Sequence, residues 1–476
     1  MKIARGHAAL LAACLVAPIG IVTPQVHAQG MTTNSEFLRG SRVAPLAHPP
    51  GWQAPVEIRA DAPTLDWRDT IRLAVARYPA VAGARSAVDQ QASLIDAARA
   101  GYLPRVQAEM TSGQQGEFGT GQVATVGLSQ MLYDFGKTRS AVARERAAEQ
   151  REQAELLATI DNVIEQGTQA LIEIHRYDVL LETFAAQIEA LERVEEITRL
   201  RAEAGAATRS DPLQARARIE AVQAKRLAAL AQGAQWRSRL QTYVGPEAAA
   251  GSVSAGPGAV LDRQPSDVDV DQLPALRVAR AQRDEADARL RNARAQRCPT
   301  ISLEANANHR LGTAGDRYED LYGRRTYNNA FISVRSDLYQ GGSLAAQARA
   351  GASALEAADE QVRTERLLAL DALRSQQMRI DGLVARIKVL EQRVDSIVET
   401  RELYWDQYID LGTRNVLDLL NAEQEIGQSN EDLHNARHDL WLARLDYLLA
   451  SGAARAAFGL ESAARRDWAE LPGDRP

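Results

Sequence analysis

The chain has 476 residues, of which 25% are charged and 5% aromatic, and its formal net charge is -6. Such a length usually indicates two to four domains, and the mild negative charge argues against a nucleic-acid-binding surface. Ala, Leu, Glu, Gln and Arg dominate the long segments, a composition typical of extended helices and coiled coils.

The first 28 residues have the pattern of a secretory signal peptide. Two basic residues precede an apolar stretch at 8–22, and the letters VHA that follow suit cleavage after Ala28. A competing interpretation is a lipoprotein site, because the letters LAAC end at Cys14, although cleavage there would leave an unusually short apolar region. We expect an exported protein whose residues 29–63 form an irregular extension.

Residues 64–244 form the first of two repeats, which we predict to contain a helix, a β-hairpin, a long helix, a turn and another helix. The hairpin is predicted at 104–133, where apolar and polar residues alternate on both sides of a glycine-rich loop. Val106, Ala108 and Met110 share the apolar face of its first strand.

The long helix is predicted from a proline-free run. Residues 137–204 contain no proline and a single internal glycine before the turn, which at about 1.5 Å per residue gives a helix of about 100 Å. Apolar residues recur every seven positions in two rows, a spacing that favours coiled-coil packing. The rows are Ile160, Gly167, Ile174, Leu181 and Ile188, and Val163, Ala170, Tyr177, Phe184 and Leu191.

Residues 273–460 form the second repeat, after a connection at 245–272 that is rich in Gly, Pro, Ser and Asp. The same order of elements is predicted, with a hairpin at 299–339 and a turn at 411–415 between two long helical runs. The tail at 461–476 is predicted to be loose.

The duplication is supported by landmarks that keep a constant offset. Gly205 and Asp211 in the first tip turn, at 205–211, match Gly412 and Asp418 in the second with an offset of 207. Two prolines earlier in each repeat are offset by 195. The second hairpin therefore carries an insertion of about eleven residues. Its loop, predicted at 312–329, is long and charged, and we interpret it as extracellular.

The number of strands limits how the chain could cross a membrane. No segment after the signal peptide reaches the roughly 18 uninterrupted apolar residues of a spanning helix, so spanning would have to use strands. Four strands cannot close a barrel, for which about eight are needed, whereas three chains would supply twelve. The pattern predicts an oligomer whose hairpins share one barrel and whose long helices extend it into a conduit.

The segment 408–423, YIDLGTRNVLDLLNAE, resembles the TolC family of outer-membrane channel proteins, and its motif is most similar to the channel components of type I secretion systems. The signal peptide and the hairpin in each half add to the resemblance, which covers about 64–459. It implies a mainly α protomer with a small β part. Three such protomers form a twelve-stranded β-barrel, with four strands per chain, continued by a long coiled-coil α-barrel.

The resemblance also implies a gate at the periplasmic tip. Gly205, Gly412 and Thr413 would form the tip turns, at which a periplasmic adaptor docks. Arg414 matches the arginine that ties the gate, and its polar partners match Ser210-Asp211 in the first repeat.

Three further positions bear on the constriction. Asp418 matches one of two aspartate rings, but Asn421 stands where the second aspartate would be, and Ile409 stands where a gate tyrosine is often found. A ring of aspartates would attract polyvalent cations. The residues alone leave a local alternative open, in which Asp418 and Asp211 only stabilise helix N-termini after a glycine turn.

Other constellations carry little chemistry. His434 and His438 are four residues apart on a helix and could bind a metal, but without a third ligand motif we interpret them as a solvated helix face. No arrangement of nucleophile and base stands out, so we predict that the protein is not an enzyme and needs no cofactor.

The sequence therefore predicts a homotrimeric channel in the lipid of a Gram-negative outer membrane, with a long periplasmic portion. Its partners would be a periplasmic adaptor and an inner-membrane ABC transporter that exports protein. The alternative is a channel for small-molecule multidrug or metal efflux, with a proton-driven pump as partner. A periplasmic coiled-coil scaffold is the third interpretation, disfavoured because an adaptor would be expected to have one helical hairpin flanked by β-rich domains.

Overall fold

The computed structural model describes residues 66–114, 120–249, 251, 253, 256–257, 260–262, 268–311, 313–409 and 411–461. The predicted signal peptide, with its two cleavage sites, and the extension at 29–63 lie outside the described residues. So does the predicted tail after its first residue, and so do parts of the connection at 245–272.

The described residues are mainly helical. Two helices of 67 residues dominate, and each is followed by a helix of 35 residues. The helices are α1 (Trp67–Arg77), α2 (Pro79–Arg99), α3 (Lys137–Glu203), α4 (Ser210–Val244), α5 (Pro246–Ala249), α6 (Pro274–Ala295), α7 (Thr313–Tyr322), α8 (Ser343–Ile409), α9 (Val416–Ala450) and α10 (Ala454–Ala457). Among these, none is long and apolar enough to cross a membrane.

Four antiparallel strands form one sheet in the order β1-β2-β3-β4. They are β1 (Arg105–Gln114), β2 (Thr120–Tyr133), β3 (Thr300–Leu311) and β4 (Thr326–Arg335). β2 and β3 come from different repeats, so their pairing joins the two halves of the chain. Because side chains alternate, the register aligns apolar residues on one face, such as Val106 opposite Leu128 and Leu303 opposite Ile332.

The core lies where α1, α2 and α4 pack on α3, and the end of α9 closes it. Gly167 of α3 occupies a position in an otherwise apolar heptad row. A Cβ atom added there would lie 2.7 Å from Ile71 Cδ1, and Ile71 is fully buried. The lack of a side chain at Gly167 therefore leaves the space that α1 needs in order to dock on α3.

α8 is much less covered than α3. Only Ile380, Leu390 and Tyr408 of this helix are buried, whereas Leu367 and Met378 are each 68% exposed. An apolar face of this length left open on one chain is typical of a surface that a further subunit covers.

The predicted charged loop at 312–329 contains more structure than a loop. α7 occupies most of it, and β4 begins at Thr326. The second hairpin ends earlier than its predicted boundary, since β4 stops at Arg335 and Tyr339 is 86% exposed. Arg325 forms ion pairs with Asp316 and Glu319 of α7 and so links this helix to the start of β4.

The interpretation of His434 and His438 as a solvated face is wrong for His438, which is only 2% exposed. Its Nε2 atom lies 2.9 Å from Nδ1 of His175 on α3, and its Nδ1 atom donates to the His434 carbonyl at 2.6 Å. The ring also contacts Trp441, with centroids 4.7 Å apart. The spacing of the two histidines carries information about α9 alone, whereas the burial of His438 depends on how α9 packs on α3.

Candidate functional site at the tip turns

The first tip turn joins α3 to α4 and is closed by backbone hydrogen bonds. Gly205 adopts a φ of +75°, which favours glycine. The amide of Ala206 donates to the Arg201 carbonyl at 2.8 Å, and the amide of Gly205 donates to the Ala202 carbonyl at 3.1 Å. This pair of bonds is a Schellman motif, which satisfies the last carbonyls of α3.

The second tip turn joins α8 to α9 and is built differently. Gly412 has a φ of +62°, and the amide of Thr413 donates to the Gln407 carbonyl at 3.1 Å. Asn415 then caps α9, because its Oδ1 atom accepts from the Leu417 amide at 3.2 Å. The glycines share a left-handed conformation, but the hydrogen bonds around them differ.

Asp211 binds groups of its own turn. Its Oδ1 atom accepts from Thr208 Oγ1 at 2.5 Å and from Ser210 Oγ at 3.3 Å, and its Oδ2 atom accepts from the Thr208 amide at 3.3 Å. Since Ser210 is the first residue of α4, the carboxylate also lies in the first helical turn, where it is favoured by the helix dipole. These contacts fit the local interpretation, in which Asp211 only stabilises the N-terminus of its helix.

Arg414 is held by three groups of the second repeat. Its Nη1 atom lies 3.0 Å from Asp418 Oδ2, its Nε atom donates to Gln407 Oε1 at 2.9 Å, and its Cζ atom lies 4.4 Å from the ring centroid of Tyr404. Among the described contacts of this one chain, none joins Arg414 to Ser210-Asp211. Its role at a gate stays a prediction about the assembled channel.

The other predicted constriction residues lie close to the same tip. Asp418 is 40% exposed at its side chain and is paired with Arg414. Asn421 Oδ1 accepts from Arg218 Nη2 of α4 at 3.3 Å, so this asparagine links the two repeats. Ile409 is half-buried and packs against the apolar cluster described below.

The two tips are in direct contact, which no sequence pattern predicted. Arg201, in the last turn of α3, donates from Nη1 to the backbone oxygen of Tyr408 at 2.9 Å. Its guanidinium carbon lies 4.7 Å from the Tyr408 ring centroid. Tyr408 is 5% exposed, and burial raises the pKa of its hydroxyl, an effect that Arg201 opposes and Asp211 reinforces. The only sequence signal was a basic residue in the last helical turn.

An apolar cluster lies behind these polar contacts and crosses the repeats. It brings the end of α8 and the start of α9 against α3 and α4, so the two tips pack as one unit. Lys225 of α4 adds an ion pair with Glu431 of α9 at 2.9 Å. The buried members are Leu180, Phe184, Leu191, Val194, Ala215, Ile219, Val222, Ala229, Tyr408, Val416, Leu419 and Leu420.

The described residues offer no group of three or more His, Cys, Asp or Glu side chains that could hold a metal ion. The tip instead consists of two exposed glycine turns at the ends of helices of 67 residues, tied together by hydrogen bonds and apolar packing. Exposed turns of this kind can bind a protein partner, and the helix ends that carry them can change how they pack on one another.

Comparison with known proteins identifies the family. The family described as outer membrane efflux protein matches residues 70–246 and 271–453, one block in each repeat. The matched blocks cover most of the chain, and the chain therefore belongs to the outer membrane efflux protein family.

Individual relatives agree with this assignment. Outer membrane protein TolC of Escherichia coli is 25% identical over 394 residues, which cover 77% of this chain and 78% of the relative. The alkaline protease secretion protein AprF of Pseudomonas aeruginosa is 26% identical, covering 69% and 67%. The crystal structure of VceC from Vibrio cholerae superposes with a TM-score of 0.70 at 20% identity, over 81% of this chain and 96% of that one.

These findings confirm the predicted fold class, a TolC-like channel protomer with four strands and an internal repeat. They also confirm the location, since the protein is an outer-membrane protein with a long periplasmic helical portion. At the level of the family, it is an efflux channel of a tripartite system, which works with a periplasmic adaptor and an inner-membrane pump. The family transports rather than catalyses.

Proposed function

We propose that the chain is the outer-membrane channel of a type I system that exports protein. Its energy would come from an inner-membrane ABC transporter, joined to the channel by a periplasmic adaptor. The observation that carries this proposal is the second tip motif at 408–423, which is most similar to channels of that class. The match to an alkaline protease secretion protein over 69% of this chain supports it.

The working form would be a homotrimer. One chain contributes four strands in an open sheet, whose edge strands β1 and β4 leave backbone groups unpaired. Three chains would pair these edges, and the open apolar face of α8 would be covered at the same time. Both features support the same assembly.

The tip turns would be the docking point for the adaptor. Gly205, Gly412 and Thr413 are exposed, and they lie at the ends of α3 and α8 that are farthest from the sheet. A photo-crosslinking residue at Thr413 should capture the adaptor in cells. The same residue at Gln232, exposed on α4 and remote from the tip turns, is the matched control and should not.

The same tips would close the entrance of the resting channel. In this proposal Arg414 and Asp418 act with Ser210-Asp211 of the trimer, and Asn421 and Ile409 line the constriction. The hydrogen bond from Arg201 to Tyr408 and the apolar cluster that crosses the repeats support a closed rather than a splayed arrangement of the tips.

The first experiment is crosslinking in native cells, followed by mass spectrometry of the proteins that co-purify with the chain. Recovery of an ABC transporter with its adaptor is the expected result. Recovery of a proton-driven pump would replace protein secretion by small-molecule or metal efflux. If the chain itself were recovered as a soluble protein, without any partner from the cell envelope, the proposal would be overturned.

A further inference from the structure

α7 lies at the end of the sheet that is remote from the long helices. The strand β3 follows α6 and runs away from it to Leu311, and α7 comes next, before β4 returns. α7 packs against β2 and β3. In an outer-membrane channel whose helices extend into the periplasm, this end of the sheet is the external mouth.

The strand register shows which face of the sheet α7 covers. Asn308 lies opposite Tyr327 in the register, and alternation places Glu304, Asn306 and Arg310 on the same face. Apolar residues such as Ile332 occupy the other face, where lipid is expected. The face of Asn308 is therefore the one that lines the lumen.

Aromatic and cationic contacts hold α7 on this lumen face. The Arg310 guanidinium carbon lies 4.5 Å from the ring centroid of Tyr318 on α7 and 5.8 Å from that of Tyr327 on β4. The two tyrosine rings are themselves 6.0 Å apart. Since Arg310 and Tyr327 both belong to the polar face, α7 is turned toward the channel interior and not toward lipid.

A second set of contacts fixes the other edge of the helix. Arg325, just before β4, pairs with Asp316 at 2.5 Å and also with Glu319. Arg317, Asp320 and Leu321 lie on the side of α7 away from these contacts and are exposed. These three side chains would point toward the channel axis.

The size of α7 matters because three copies would share one mouth. A barrel of twelve strands spaced about 4.8 Å apart and tilted by about 40° has a backbone diameter of roughly 24 Å. Three helices about 10 Å wide, in contact with one another, occupy a circle roughly 22 Å across. Three inward-facing copies of α7 would therefore fill most of the opening.

We propose that α7 forms a second constriction, at the external mouth, which folded or bulky solutes cannot pass until the helix moves. This inference rests on the proposed channel function. It assigns a role to the insertion in the second hairpin, and it means that opening the periplasmic tip alone does not open the whole conduit.

The test measures access to the lumen from outside the cell. With Cys298 replaced by serine, Asn306→Cys places a thiol on the lumen face, inward from α7. Intact cells are treated with a small maleimide or a bulky polymer-linked maleimide. The comparison is between the parent, a variant with residues 313–322 replaced by a glycine-serine linker, and Tyr318→Ala, which removes the anchor but keeps the helix. The matched control is His309→Ala, next to Arg310 on the opposite face.

The expected result is that the small reagent labels every version, whereas the bulky reagent labels the linker and Tyr318→Ala versions at least several-fold faster than the parent and the control. Equal labelling by the bulky reagent in all versions, in a protein that still migrates as a trimer, would overturn the constriction alone. A thiol that even the small reagent cannot reach after α7 is removed, in a protein that forms no trimer, would overturn the channel function with it.

Discussion

Arg201 and Tyr408 join the two repeats at their tips, through a 2.9 Å hydrogen bond to the tyrosine backbone and a guanidinium group 4.7 Å from its ring centroid. The two residues are 207 positions apart in the sequence. Because each sits in the last turns of its long helix, their contact couples the α3–α4 pair to the α8–α9 pair where the entrance would open.

We expect Arg201→Met to loosen this entrance. The substitution keeps an unbranched apolar stem but removes the donor and the cation, whose combined loss is about 1–3 kcal/mol for a partly buried pair. Single-channel conductance in planar bilayers should rise. Arg199→Met is the control, because Arg199 pairs only with Glu196 and Glu203 of its own helix among the described ion pairs. Equal conductance in the two variants would contradict the coupling.

Arg414→Ser should also loosen the closed entrance, because it removes the links to Gln407, Asp418 and the Tyr404 ring. The pair with Asp418 is exposed, so this single change contributes at most about 1 kcal/mol and the rise in conductance should be modest. Arg393→Ser, which removes two partly exposed ion pairs between the body of α8 and α9, is the control. An unchanged single-channel conductance in Arg414→Ser would count against its role.

Asp418→Ala should abolish block of the channel by polyvalent cations. Three copies of one carboxylate, brought together by threefold symmetry, would concentrate negative potential at the entrance. The measurement is a titration of a trivalent cation against channel current. Asp432→Ala, farther along α9 and paired with Arg393, is the control. Block at the wild-type concentration in Asp418→Ala would show that the residue acts only locally, in the first turn of α9.

Stability should fall in acid because of His438. Burial, together with the nearby His175, Arg176 and His434, lowers the pKa of this histidine from 6.5 to about 4, against the opposing effect of the hydrogen bond to the His434 carbonyl. The unfolded chain then binds the proton first. The contribution of neutral His438 to stability is fully present above about pH 6.5. As the pH falls toward 4, the free energy of unfolding decreases by about 3 kcal/mol.

The check is the thermal unfolding midpoint measured across this range. His438→Gln, which cannot titrate, should flatten the dependence, whereas His309→Gln, at an exposed strand position, should leave it as in the wild type. A His438→Gln protein that loses stability with the same profile as the wild type would show that other groups govern the acid response.

Gly167→Ala should destabilise the docking of α1 on α3. The new methyl group would meet Ile71 at 2.7 Å in a fully packed region, and overpacking of this kind costs about 1–3 kcal/mol. Gly83→Ala is the matched control, since a Cβ there meets nothing within 4 Å and helix propensity alone favours alanine by about 1 kcal/mol. Opposite shifts of the two unfolding midpoints are expected, and a stabilised Gly167→Ala would refute the close approach.

Local patterns predicted much of the architecture. The proline-free run and heptad rows predicted the long first-repeat helix, and alternation in the two hairpin segments predicted strands, because both signals arise from residues close together in the sequence. The constant offset of 207 between matching residues, such as Gly205 and Gly412, predicted the repeat. The motif at 408–423 pointed to the family, which comparison confirmed.

Tertiary packing decided what these side chains contact. Arg201 meets Tyr408, and His175 meets His438, only because helices from different repeats pack together, and no pattern within one helix encodes such pairs. The sequence by itself determined the order and kind of the elements, since these depend on propensity and periodicity. The structure alone decided which tip residues bind one another and which face of the sheet α7 covers, since both depend on contacts between segments far apart in the chain.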